Sequence, residues 1–124
     1  MKANVYRWAD LPEDHPIPLL DRRRLVGTHL MAAQVLLHKG CHVPTHQHEN
    51  EQIAFVHSGR VRFGIGSEGS SERYDVVLSA GEFIQFEPNV PHSADAEEDT
   101  LIWDFFSPVG EGMGIDKMGA PGGG

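Results

Sequence analysis

The sequence contains a single cysteine, Cys41, among its 124 residues. An internal disulfide is therefore impossible, and the fold does not depend on an oxidising compartment. Long apolar runs are also missing, since no stretch reaches the roughly 20 residues that a membrane-spanning helix needs. The first residues lack the apolar core of a secretion signal. We therefore expect a cytoplasmic protein that has no membrane partner.

Positive charge is scarce as well. The chain has 10 basic and 18 acidic residues, which gives a formal net charge of −8. Binding to phosphate backbones needs a positive surface, so nucleic acid is excluded as an expected partner. A hydrophobic content of 40% and a charged content of 23% are typical of a globular protein. The length suits one domain with one core.

No long amphipathic helix is evident in the sequence. Short segments instead alternate apolar and polar residues between turns rich in Gly, Pro, Ser and Asn; they are 30–37, 53–57, 61–65, 74–78, 83–86 and 100–106. This spacing predicts an all-β sandwich or barrel. We predict an N-terminal arm over residues 1–24, a barrel over 25–108 and a flexible, Gly-rich tail over 109–124, which holds half of the glycines.

The stretch "HVPTHQHENEQIAF", residues 42–55, is dense in polar side chains just before an apolar run. His46, His48 and Gln52 have the same parity, so an extended chain would point all three toward one side. Imidazole nitrogens and an amide oxygen that converge are suitable ligands for a divalent metal. His92, in "FEPNVPH", is the candidate fourth ligand. The alternative is a pair of surface histidines beside a loop.

The same residues carry a family resemblance. The segment Gly40 to Gly59 resembles the first cupin motif: glycine, five residues, H-x-H, three residues, a ligand position, six residues and glycine. Gln52 stands where the commonest version has glutamate. The segment "GEFIQFEPNVPH", which ends at His92, is similar to the second motif. The resemblance implies a jelly-roll β-barrel of two antiparallel sheets, a homodimer, and one divalent ion (Fe, Mn, Ni or Zn) held by His46, His48, Gln52 and His92.

Within the cupins, "HxHxxEQ" and the later "DFFSP" resemble the pectin-degradation cupins that linearise unsaturated monouronates. That resemblance implies that Asp104 and Phe106 line the pocket as catalytic candidates. Asp104 also interrupts the apolar run "LIWDFF", where an unpaired carboxylate is costly; the alternative is a carboxylate hydrogen-bonded to backbone at a strand end. The arginine that the family has two residues beyond the proline is replaced here by Gly110. A substrate carboxylate would then be held by the metal itself or by another arginine; the candidates are Arg60, Arg62 and Arg22 to Arg24.

Three functions remain open from the sequence. The first is a metal-dependent lyase or isomerase that acts on a small sugar acid or carbonyl compound by metal-assisted proton transfer. The second is an iron-dependent dioxygenase with the same ligands. The third is a non-catalytic cupin that binds a small ligand. In each case the expected partner is a small molecule.

Overall fold

Strands account for almost all of the regular structure in the computed structural model, which describes residues 1–110. One turn of 3-10 helix, Trp8–Asp10, comes first. The strands that follow are β1 (Glu13–Asp14), β2 (Leu20–Val26), β3 (Met31–Leu37), β4 (His42–His46), β5 (Glu51–Ser58), β6 (Arg60–Ile65), β7 (Tyr74–Ser79), β8 (Phe83–Phe86), β9 (His92–Ala96) and β10 (Thr100–Ser107). Within the described residues, no helix is long and apolar enough to cross a lipid bilayer.

The strands form two antiparallel sheets. One sheet has six strands in the order β1-β2-β3-β10-β5-β8, and the other has four in the order β4-β9-β6-β7. The chain passes between the sheets several times, and strands distant in sequence, such as β3 and β10, are hydrogen-bonded neighbours. This arrangement confirms the predicted all-β jelly roll of two antiparallel sheets.

Alternation of residue type along the strands decides which side chains enter the core. On β3 the residues Met31, Ala33, Val35 and Leu37 are buried, whereas the residues between them are partly exposed. The central strands β5 and β10 and the facing strand β6 follow the same rule. The two inner faces therefore enclose one apolar core between the sheets.

The β5–β6 connection is a tight turn at Gly59, the last glycine of the first motif. Gly59 has φ +94°, and a Cβ added there would collide with the backbone of Asp99 and Thr100. Only glycine combines this backbone conformation with so close an approach of a second chain segment. The glycine thus fixes where β5 ends, and with it the position of the strand that carries Gln52.

The N-terminal arm joins the barrel before the boundary expected at residue 24, because β2 begins at Leu20 and β1 pairs with it. Arg23 holds the arm in place: its Nη1 donates to three backbone carbonyl oxygens of residues 8–11 at 2.8–3.0 Å. Trp8 packs on Trp103 of β10, with ring centroids 4.9 Å apart. Of the predicted tail, Val109 packs against the core, Gly110 is exposed, and residues 111–124 lie outside the described part.

Candidate metal centre

Three imidazole rings meet between the two sheets. His46 is the last residue of β4, His92 is the first of β9, and the two are paired across the four-stranded sheet. His48 lies in the short connection that carries the chain over to β5 in the other sheet. One ring nitrogen from each histidine lies within 4.8 Å of the others. Three nitrogens at such separations match the outline of a metal centre.

Backbone carbonyls hold each ring in the same way. The Nδ1 atoms lie 2.8 Å from the carbonyl oxygen of Pro44 for His46, 3.0 Å from that of Asn50 for His48, and 2.8 Å from that of Val90 for His92. A carbonyl oxygen only accepts hydrogen bonds, so each Nδ1 carries the proton. In the neutral ring the lone pair then belongs to Nε2. Fixing the tautomer through the second nitrogen is how proteins present histidine to a metal.

The protonation state agrees with that role. Burial lowers the pKa of His92 to about 3 and also lowers the pKa of His46 below its ordinary value, so both rings are neutral at pH 7. The Nε2 of His92 is buried and has no hydrogen-bond partner among the described residues. An orphaned buried polar atom costs about 1–3 kcal/mol, and a metal ion at the shared point would remove that cost.

Gln52 places an amide oxygen beside the three imidazoles as a fourth candidate ligand, in an orientation set by Asp104. The amide nitrogen of Gln52 donates to Oδ1 of Asp104 at 3.0 Å, which points the amide oxygen toward His48. That oxygen lies 3.2 Å from the Nε2 of His48. Both atoms can act as metal ligands, and they are close enough to share one bound cation. The donor set of imidazole nitrogens and an amide oxygen therefore fits a divalent metal.

The four residues singled out as ligands in the sequence thus lie together, although the shared parity is not what unites them. The extended chain ends at His46, and Gln52 belongs to the opposite sheet. The site forms because the chain crosses between the sheets at His48, so that the two inner faces supply ligands to one point. Glu51 points away, as parity predicts, and contacts Gln85 on the neighbouring strand.

Asp104 and Phe106 lie on the inner face of β10, next to these ligands. Burial raises the pKa of Asp104 to about 6, while the hydrogen bond from Gln52 and the charge of Arg22 oppose the rise. A carboxyl with such a pKa exchanges a proton readily near neutral pH. Phe106 is buried, and its ring centroid lies 5.5 Å from that of His48 in an edge arrangement. Both side chains line the same cavity as His46, Gln52 and His92.

That cavity runs from the imidazoles into the barrel. Its walls are mostly apolar residues of both sheets, and its remaining polar wall residue is Arg22 of β2. Arg22 was one of the arginines proposed from the sequence to replace the residue lost at Gly110. The proposal that Arg60 or Arg62 lines the cavity is wrong: both are exposed on the outer face of β6, where Glu97 pairs with Arg60 and Asp95 with Arg62.

The remaining candidates have ordinary structural roles. His42 is exposed, and its Nδ1 lies 2.7 Å from a carboxylate oxygen of Asp95. Cys41 is buried, and burial raises the pKa of its thiol, which keeps the sulfur unreactive. Neither residue lines the cavity.

Sequence reasoning missed two residues that support the site. Asn50 is buried; its carbonyl accepts from His48, and its side-chain amide donates to the carbonyl of Pro108. Phe86 of β8 stacks on His92 with ring centroids 4.1 Å apart and planes 14° from parallel. Asn50 was detectable as a polar residue between two ligand positions. Phe86 was not, since an apolar residue in an apolar strand carries no distinguishing signal.

Comparison with known proteins gives the same family from the sequence and the fold. The family model "Cupin domain" matches residues 33–103, which is more than half of the chain. No curated protein matches the chain.

Three solved structures illustrate the structural likeness. An RmlC-like cupin from Shewanella frigidimarina NCIMB 400 superposes with a TM-score of 0.77 at 23% identity, covering 89% of this chain and 95% of that one. KdgF from Halomonas sp. gives 0.75 at 27% identity, with 89% and 99% covered. The oxalate decarboxylase of Lactobacillus farciminis, in its formate complex, gives 0.76 at 19% identity; the match covers 87% of this chain and 34% of that one.

Proposed function

The chain belongs to the cupin domain family, and we propose that it is a metal-dependent lyase or isomerase that acts on a small sugar acid or carbonyl compound. The observation that carries the proposal is the juxtaposition of His48, Gln52 and Asp104. The amide oxygen of Gln52 lies 3.2 Å from the Nε2 of His48, and the amide nitrogen of the same side chain donates to a carboxyl group with a raised pKa. A metal-ligand position and a proton-transfer group are therefore linked through one side chain.

His46, His48, Gln52 and His92 are the residues that would hold the ion. A divalent ion held by these neutral ligands would retain its full charge and supply Lewis-acid polarisation of a substrate carbonyl or hydroxyl. The donor set accepts iron(II), manganese, nickel or zinc alike. The same ligands also occur in the alternatives considered above, the dioxygenase and the non-catalytic binding protein, so the ligands alone do not decide the chemistry.

Asp104 is the group proposed to move the proton. In the ring opening, β-elimination or tautomerisation of a carbonyl compound, one carbon or oxygen loses a proton and another gains one. Asp104 accepts and returns that proton at Oδ2, since Oδ1 accepts the hydrogen bond from Gln52. Phe106 and the apolar walls exclude water from the reacting atoms. Similarity to KdgF from Halomonas sp. favours a sugar acid over other carbonyl compounds.

The decisive experiment is Asp104→Asn in the metal-loaded protein. Loss of the proton-transfer group should lower turnover by about two powers of ten or more, and metal content should not change. The assay is a screen of small carbonyl and uronate compounds under anaerobic conditions. Normal turnover by Asp104→Asn would refute the proton-transfer role. The same screen is repeated in air. Turnover that appears only in air, with oxygen uptake coupled to product, would place the protein among the dioxygenases, and ligand binding without any turnover would make it a binding protein.

A further inference from the structure

Arg22 is a charged side chain on the wall of an otherwise mostly apolar cavity. It lies on the inward face of β2 between Leu20 and Arg24, and it is only 6% exposed. Its neighbour across the sheet is the buried Val35 of β3. Placing a guanidinium at such a position costs several kcal/mol of desolvation unless it is well paired.

The N-terminal arm supplies that pairing from the outside. Asp14 of β1 lies opposite Arg22 in the sheet, and its two carboxylate oxygens accept from Nε at 3.0 Å and from Nη2 at 2.7 Å. Asp14 is 44% exposed, so the pair joins the surface of the barrel to its interior. The bidentate contact fixes the plane of the guanidinium. An apolar side chain at position 22 would avoid the desolvation cost of the buried guanidinium, so stability alone does not account for the arginine.

The guanidinium and the proposed proton-transfer group Asp104 lie on the wall of one cavity, which His46, Gln52 and His92 also line. Ala33 of β3 is paired with Arg24 of β2 on one side and with Asp104 of β10 on the other, and it lines the same cavity. A ligand in the cavity would contact Arg22 at one end and the imidazole cluster at the other.

Other cations of the described residues are directed elsewhere. Arg23 holds the arm, and Arg60 and Arg62 pair with acidic residues on the outer face. Arg73 donates to the carbonyl of Gly66 and to the hydroxyl of Ser93. Among residues 1–110, Arg22 is the one arginine or lysine that lines the cavity. Gly110, where related proteins carry an arginine, is exposed with open space around it.

From this geometry we propose that Arg22 is the specificity-determining residue that binds a carboxylate group of the substrate, with Asp14 positioning its guanidinium. The substrate class is then a small organic acid whose carboxylate lies at β2 while its carbonyl or hydroxyl end lies at the imidazole cluster. The inference rests on the proposed function for the identity of the reacting end. It concerns the opposite end of the substrate, which the metal ligands do not contact.

The test compares matched ligands that differ in the carboxylate. Calorimetric dissociation constants are measured for D-galacturonate against D-galactose and for pyruvate against hydroxyacetone, with zinc-loaded and with metal-free protein. In the wild type the acid of at least one pair should bind more tightly than its neutral counterpart. Arg22→Met should weaken acid binding about tenfold or more, the range expected for a lost charged hydrogen bond, and should leave the neutral ligand unchanged. Arg62→Met removes the same charge from the outer face and should change neither constant.

Arg22→Met leaves Asp14 without its partner and can destabilise the fold. The double variant Asp14→Asn/Arg22→Met is therefore measured in parallel, and circular dichroism is used to check that each variant is folded. Arg22→Met protein that binds the acid as tightly as the wild type overturns the inference, because the metal must then hold the carboxylate. Equal binding of acid and neutral ligand by the wild type overturns it too. Failure of the proposed function would give a different result, because zinc would then not bind at all. The binding of acid and neutral ligands to metal-free protein would still test the role of Arg22.

Discussion

The most direct consequence of the site geometry is a metal-dependent gain in stability that disappears in His92→Ala. In the metal-free protein this substitution has two opposed effects. It removes the stack on Phe86, at a centroid distance of 4.1 Å, and it also removes a buried nitrogen that has no partner. A ring stack contributes about 0.5–1.5 kcal/mol and an orphaned polar atom costs about 1–3 kcal/mol. The substitution also removes the Nδ1 hydrogen bond to the carbonyl of Val90 and leaves a cavity, so we expect the metal-free variant to be less stable than the wild type by about 1–3 kcal/mol.

With metal present the difference in Tm between the two proteins should increase. An ion that binds only the native state stabilises it by about 2.7 kcal/mol when its free concentration is 100 times the dissociation constant. For a domain of this size that corresponds to an increase in Tm of roughly 10 °C. His92→Ala lacks one of four ligands and should show little of this increase. His42→Ala, which removes an exposed imidazole bound to Asp95, should show all of it.

The assay is thermal unfolding by calorimetry, with and without a chelator, together with the metal content of the dialysed protein. The quantity that matters is the difference between the metal-loaded and the metal-free Tm for each variant. An unchanged difference in His92→Ala, together with a full equivalent of metal, would show that this imidazole is not a ligand. A wild type whose Tm does not respond to the chelator would refute the metal site as a whole.

Three further predictions follow from other parts of the structure. Gln52→Glu should bind the metal more tightly but turn over more slowly, because a carboxylate cannot donate to Asp104; metal titration and initial rates test both effects. The hydrogen bond from Arg22 lowers the pKa of Asp14, so their pair stabilises the fold fully above the unfolded pKa of about 3.9 and progressively less as the pH falls below it. In urea unfolding, Asp14→Asn should therefore reduce the loss of stability at acid pH. An unchanged loss would contradict the assignment. We propose that the expected homodimer packs through Phe83, an aromatic side chain of β8 that is 65% exposed on the outer face. Phe83→Glu should then be monomeric by light scattering, and a dimeric Phe83→Glu would contradict this assignment.

The fold was predictable because its signals are local. Alternation with a period of two, short segment length and frequent turn residues identify strands without any knowledge of their partners. The order of strands in each sheet is not local: the family resemblance implied only a jelly roll of two antiparallel sheets, and the order is known from the structure. The start of β2 was missed because "LDRRRLV" carries three consecutive arginines. Whichever set of alternate residues faces the core, that set includes an arginine, so the apolar–polar alternation that marks a strand is absent.

The proximity of the candidate metal ligands was predictable for a different reason. His46 and His48 are separated by one residue, and Gln52 follows at a family-defined spacing, so the sequence preserves the motif even though the chain bends between them. Asp104 was proposed from the family resemblance, and its position within an apolar run supported the choice. Arg22 could only be placed in a set of candidates, since its role depends on contact with Asp14, whose own strand has two residues and no periodicity to detect.

Polar residues on the inner faces of the sheets show how these parts act together. Each of Gln52, Asp104 and Arg22 stands where alternation calls for an apolar side chain, and each is costly when buried alone. Gln52 donates to Asp104, the charge of Arg22 acts on Asp104, and Asp14 fixes Arg22. The polar groups thus form a continuous path from the imidazoles to the arm. Asp14→Asn should therefore alter the acid binding attributed to Arg22 and leave the metal content unchanged. If the ion pair were purely structural, Asp14→Asn would not alter acid binding.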